Sequence, residues 1–247
     1  MIILAGSLVL LASFFFNSIL QTKTKPATLL SLYLLSYANI VLAGEITNIF
    51  HVLNRQWAFI LVHFLIVLVG FFLWLKKGSP NLLGPFQNWR EELKKEKLLL
   101  CLKNWPDLAL FTIGTIAILS LAAIMILKIP PNNNDSLSTH LSRVGYWLQF
   151  GSFLPWPTSR TFQLVYPINA QLQMFWSILF TGSDKLVGFT QWLTALATAV
   201  GIFGISRLLG WGRSASAFAG LAFLSYPLVV LQSTTTQNDL VAAGLFV

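Results

Sequence analysis

Charge is what this 247-residue chain has least of: Asp, Glu, Lys and Arg together make up 10% of it, against about 25% in ordinary soluble domains. Hydrophobic residues make up 55%. A soluble fold this apolar has too little polar surface to face water, so a lipid bilayer is the expected solvent. A single cysteine, Cys101, excludes an internal disulfide and a cysteine-rich metal site, and its basic, leucine-rich surroundings mark it as inert. The first twenty residues lack a basic n-region, which favours a membrane anchor over a cleaved signal peptide. The net charge is +8, but the basic residues stand beside apolar runs. There they bear on membrane orientation and not on nucleic-acid binding.

What the chain does have is a succession of apolar runs close to the length of about 20 residues that a helix needs to cross the hydrocarbon layer. Residues 1–20, 27–43, 57–75, 108–127, 187–209 and 215–230 are such runs. The fold class read from them is all-α, a polytopic transmembrane helical bundle. Residues 1–77 hold three amino-terminal spans, 78–107 form a basic connector, and 108–247 form a second membrane core. In the connector, Gly78, Pro80, Gly84 and Pro85 read as irregular loop. The stretch NWREELKKEKLLLCLKNW that follows reads as an amphipathic helix lying on the membrane surface. The last residues, LVAAGLFV, are too few to cross a bilayer. The chain is therefore expected to stop inside a helix, as a fragment or truncated frame would.

Orientation follows from the basic residues. Loops 21–26, 76–107 and 207–214 carry Lys23, Lys25, Lys76, Lys77, Arg90, Lys94, Lys95, Lys97, Lys103, Arg207 and Arg213. The other side carries Arg55, Lys128, Arg143, Arg160 and Lys185. The richer side is predicted to be cytoplasmic, in a plasma (inner) membrane protein. This assignment requires the apolar stretch 166–180 to lie along the outer interface and not to span. It then places Asp135 and Asp239 on the same external face, each at the mouth of a span.

The longest polar interruption on that face is IPPNNNDSLSTHLSRVGYWLQFGSFLPWP, starting at Ile129. Leu137, Leu141, Val144 and Leu148 recur at helical spacing and make an apolar stripe. His140, Arg143 and Trp147 fall on another face, which is expected to turn towards water. Asp135 admits two readings: an N-cap for the helix it precedes, or a general base at the membrane edge. Asp239, also ahead of an apolar run, is an N-cap or a second acid that completes a metal or donor-phosphate site with Asp135. Arg143 either pairs with an anionic phosphate or snorkels to lipid head groups. His140 is as compatible with a structural role as with a functional one. Tyr146, Trp147, Trp156 and Tyr166 read as an interfacial belt, with sugar stacking as the other option.

The stretch PPNNNDSLSTHLSRVGYWLQFGSFLPWPTSR, then YPINAQLQMFW, then QSTTTQNDL resembles the C-type (GT-C) membrane glycosyltransferases, closest to the bacterial protein-mannosyltransferase and aminoarabinose-transferase-like group. The resemblance covers residues 108–247. It implies that Asp135, in its Asn134-Asp135-Ser136 setting, is the catalytic acid/base position of the first external loop. It implies that Asp239 is the second acidic position, two spans later, and that the first external loop carries interfacial helices over 136–150 and 166–180. The implied activity is transfer of a sugar from a polyprenyl-phosphate donor to an acceptor at the external face. Asp239, Arg143, His140 and Asn134 would lie on the donor and substrate, and Asp135 and Asp239 would hold a divalent cation (Mg²⁺ or Mn²⁺). Some family members carry an acid in the second interfacial helix where this chain has Gln171 and Gln173, and most are longer. The competing classes are an inactive membrane scaffold and a transporter of lipid-linked substrates. The transporter class expects ionisable groups within the spans, and the spans here are almost free of them. Partners implied are membrane lipid and a polyprenyl-phosphate-linked sugar.

Overall fold

The structure is a computed structural model and describes residues 1–82 and 106–246. The surface helix expected in the connector, with Cys101, lies outside those residues. The described residues form helices and no strands. In chain order these are α1 (Ile2–Leu20), α2 (Lys25–Ile49), α3 (Gln56–Lys76) and α4 (Pro106–Lys128). A π-helical turn (Ser136–Leu141) runs into α5 (Ser142–Phe150), followed by α6 (Phe162–Val165) and α7 (Asn169–Thr181). Then come α8 (Phe189–Leu208), α9 (Arg213–Ser225), α10 (Pro227–Ser233) and α11 (Asp239–Leu245). Five stretches are long and apolar enough to span: Ile2–Leu20, Lys25–Ile49, Gln56–Lys76, Pro106–Lys128 and Asp184–Leu208. The pair α9 and α10, bent by 61° at Pro227, makes a sixth if counted as one broken span. The protein is a multi-pass membrane protein.

Local sequence sets the ends. Thr24 caps α2, its side chain accepting from the Ala27 N–H at 3.4 Å, with a proline in the first turn where its missing N–H costs nothing. Gly151 ends α5 in the left-handed region, φ 68°, where a residue with a Cβ would be strained.

In a bilayer the apolar outside of a helix gains nothing by leaving lipid, so close packing has to hold the bundle. The contacts between elements show this. A Cβ on Gly220 of α9 would meet the Ala199 carbonyl oxygen of α8 at 2.9 Å. A Cβ on Gly244 of α11 would meet Thr198 Oγ1 at 2.5 Å. Helices α1 and α3 pack along one another, and α8 is packed by α2, α9 and α11. Ile3, Phe72 and Leu110 stay exposed on α1, α3 and α4, where lipid is the neighbour.

One expectation about the loop between α4 and α8 is corrected. Helix α7 does not span, as expected, and much of it is buried within the protein. Leu172, Met174, Phe175, Leu179 and Phe180 are buried, and they join Ala43, Phe59 and Val62 in the largest core cluster. At 13 residues α7 is too short to span, and it packs instead against α2 and α5. The helix after Asp135 buries both faces. Val144 of the apolar stripe is buried and Leu141 and Leu148 pack against the core, with only Leu137 left 51% exposed. His140, Arg143 and Trp147, expected to turn towards water, are buried as well. The polar groups point into the protein because the loop supplies partners for them there.

Candidate functional site

The π-helical turn begins where Asn133 Oδ1 accepts the Ser136 N–H at 2.7 Å. Asn133 thus does the capping expected of Asp135, which makes no capping bond. The Asp135 side chain is 52% exposed. Its Oδ2 accepts a hydrogen bond from Gln237 Nε2 at 3.2 Å and stands 3.7 Å from His140 Nε2.

Asp239 is released from capping in the same way. The Leu240 N–H donates to Gln191 Oε1 at 2.8 Å. Gln191 is fully buried in the first turn of α8, and its Nε2 donates to the Gln232 carbonyl and to Thr235 Oγ1, both at 3.1 Å. One glutamine therefore holds both the loop before α11 and the start of α11, and Asp239 is left exposed at the first helical position. The Thr236 N–H donates to Ser136 Oγ at 3.3 Å, which ties this loop to the π-helical turn. Asp135 and Asp239 accordingly meet at one end of the bundle.

His140 is buried beside Asp135. Burial is the main influence on its pKa and lowers it. The Asp135 carboxylate raises it, Arg143 lowers it and Asp239 raises it, and the net direction is down. The imidazole is neutral at pH 7. Its tautomer is set by Gln171, which is also buried. The Gln171 amide nitrogen donates to the Pro167 carbonyl at 3.0 Å and the Ile168 carbonyl at 3.2 Å, so its oxygen accepts from His140 Nδ1–H. The proton is then on Nδ1, and Nε2 presents a bare lone pair to Asp135 Oδ2. Two acceptors 3.7 Å apart leave a gap that a hydrogen-bond donor fills favourably.

Arg143 is not available in the way the sequence suggested. Its Nε donates to the Gln163 carbonyl at 2.6 Å. Nη1 donates to the Tyr166 and Pro167 carbonyls at 2.9 and 3.2 Å, and Nη2 to the Phe162 carbonyl at 3.1 Å. Four of five N–H groups are spent on carbonyls of α6 and the turn into α7. Its guanidinium also lies 5.8 Å from the Trp147 ring centre. Arg143 holds together the loop between α4 and α7, its donors turned to main-chain carbonyls and not to a head group or phosphate. Asn134 is exposed beside Asp135. Of the four aromatics, Trp147 and Trp156 are buried, and Tyr146 stacks on Trp156 with centroids 4.3 Å apart. Tyr166, 53% exposed, is the one of these four open to solvent or lipid.

For a hard divalent cation the donor set offers two carboxylates, Asp135 and Asp239, beside a neutral imidazole. Among the described residues no group of three or more His, Cys, Asp or Glu is disposed to hold a metal, and Gln173 donates to the Tyr37 carbonyl at 3.1 Å. Two carboxylates completed by substrate phosphate and water suit Mg²⁺, which seldom takes an all-protein cage.

Asn133, Gln191 and Gln237 were not singled out in the sequence, and Gln171 was named only as the residue standing where some family members carry an acid. Gln191 did leave a signal, as a glutamine inside an otherwise apolar span. Asn133 left none that separates it from Asn134. No family model, curated protein or solved structure matches the chain.

Proposed function

We propose that Asp135, His140 and Asp239 form the acceptor and donor-phosphate corner of a membrane glycosyltransferase. It would move a sugar from a polyprenyl-phosphate donor to an acceptor hydroxyl at the face opposite the basic loops. One observation carries the reading: both aspartates are relieved of the capping that would otherwise explain them, by Asn133 and Gln191, and Asp135 stands beside a buried neutral imidazole.

The acceptor hydroxyl donates to Asp135 Oδ2, beside His140. Its proton passes to the Asp135 carboxylate as its oxygen attacks the anomeric carbon. The bond from that carbon to the phosphate oxygen breaks, and polyprenyl phosphate leaves with the electron pair. His140 stays neutral, and its Nε2 lone pair accepts a hydrogen bond from a second hydroxyl of the acceptor. Asp239 lies on the donor side. A divalent cation held by Asp135 and Asp239 would neutralise the donor phosphate there. Gln171 is a positioning residue, acting through His140.

The transporter reading needs an ionisable group free within a span. His63, buried in α3, has Nδ1 bound to Asn39 Oδ1 at 2.7 Å and Nε2 accepting from Trp176 Nε1 at 3.0 Å. It is engaged on both nitrogens, so this candidate gives that reading no support. The test is sugar transfer in membranes holding the protein and radiolabelled polyprenyl-phosphate sugars. Transfer by wild type that is lost in Asp135→Asn supports the proposal. Undiminished transfer by Asp135→Asn overturns it.

A further inference from the structure

A cavity of about 780 Å³ opens at the end of the bundle opposite Asp135, between the starts of α2 and α9 and the end of α8. Among the described residues its lining carries four basic residues, Lys23, Lys25, Arg207 and Arg213, and no acidic one. Deeper in, the wall is apolar, with Leu30 and Phe203 among its residues. The α9 helix starts at Gly212, which offers no side chain to its first N–H groups, so the positive end of that helix is also uncapped. Beside the mouth Leu208 is 84%, Leu209 71% and Trp211 52% exposed. Exposed apolar and indole side chains of this kind sit at head-group depth. The mouth therefore faces the lipid head groups.

We propose that this cavity binds an anionic membrane lipid, with its phosphate-bearing head group held by Lys23 and Arg207 and an acyl chain along the apolar wall. A cluster of cations alone would attract any anion. The apolar wall below the cations selects an amphiphile, and the depth of the mouth selects one already resident in the membrane. Basic pockets between transmembrane helices take anionic head groups in this manner. The site is separate from Asp135 and independent of the sugar-transfer proposal.

The experiment is native mass spectrometry of the full chain in detergent, offered phosphatidylglycerol, phosphatidylcholine of the same acyl chains, or inorganic phosphate. Wild type is expected to retain one phosphatidylglycerol at least tenfold better than phosphatidylcholine. Lys23→Gln with Arg207→Gln, both at exposed positions, is expected to lose that preference at least tenfold. Lys128→Gln with Lys185→Gln, on the other face, is expected to keep it. Ala217→Phe, which fills the cavity without changing charge, is expected to lose lipid. Three results would overturn the proposal: unchanged phosphatidylglycerol retention in the Lys23/Arg207 variant, equal loss in the Lys128/Lys185 variant, or displacement of the lipid by millimolar inorganic phosphate. The last would show a free-anion site in place of a lipid site.

Discussion

Gln237 donates a hydrogen bond to Asp135 across 102 positions of sequence, at 3.2 Å. With the Thr236 N–H bound to Ser136 Oγ at 3.3 Å, it joins the loop before α11 to the loop after α4. These two contacts convert a pair of separate aspartates into one site. Removing Gln237 should therefore loosen the site without unfolding the bundle.

The first prediction separates catalysis from folding at Asp135. Its carboxylate is half exposed and caps nothing. Asp135→Asn should leave the melting temperature in detergent unchanged and lower sugar transfer by at least about 100-fold, the lower range for loss of a general base. Asn133→Ala should do the reverse, costing about 1 kcal/mol of stability through the lost cap. If Asn133→Ala is silent and Asp135→Asn destabilises, the capping assignment is wrong.

Arg143 tests the scaffold role. It is buried and bound to four main-chain carbonyls. Arg143→Met orphans those carbonyls and should cost about 3 kcal/mol or more, at the upper range for hydrogen bonds to a charged group. Arg143→Lys should not rescue, since an ammonium cannot reproduce the planar fork. Thermal unfolding measures this. A phosphate-binding arginine would instead leave stability intact and raise the donor KM.

The pH dependence follows from His140. Burial holds its pKa below the ordinary value of 6.5. The unfolded chain then takes up a proton, as pH falls through 6.5, that the folded chain refuses. This contribution to stability should be absent above 6.5 and should become destabilising below it. His140→Gln should flatten that slope. The chain has three histidines, so ¹⁵N spectra of the histidine-labelled protein can read the tautomer directly. His140 should show a protonated Nδ1 and a bare Nε2 at pH 7, and Gln171→Leu should scramble that assignment.

Packing between spans gives a fourth prediction. Gly220→Val drives a side chain into the Ala199 carbonyl and should separate α9 from α8, lowering stability by about 1–3 kcal/mol. Gly114→Ala on α4 meets nothing within 4 Å and should be neutral or slightly stabilising. Thermal unfolding of the two variants side by side checks both.

The shared face of the two acids is open to labelling. In a Cys101→Ser background, Asn132→Cys and Thr234→Cys should react with a membrane-impermeant thiol reagent from the same side of intact cells. Lys23→Cys should react only from the other side. Labelling of Asn132→Cys and Thr234→Cys from opposite sides would break the site apart.

Sequence alone determined the spans. A run of about twenty apolar residues has one low-energy way to sit in hydrocarbon, because every backbone polar group must be bonded within the segment. The positions of α1, α2, α3, α4 and α8 were legible for that reason, as was the shortness of the 166–180 stretch. Sequence could not say that the polar face of the 136–150 helix turns inward along with the apolar one. The apolar stripe packs on the core at Leu141, Val144 and Leu148, as its pattern suggests. The polar face goes inside as well because its groups find partners there, His140 with Gln171 and Arg143 with four carbonyls. Capping was undecidable for a related reason. Asn133, Asn134 and Asp135 are neighbouring candidates with similar chemistry, and the group that relieves Asp239 lies 49 positions away at Gln191. Only the tertiary structure brings that glutamine to Leu240, and in doing so it relieves Asp239 of capping.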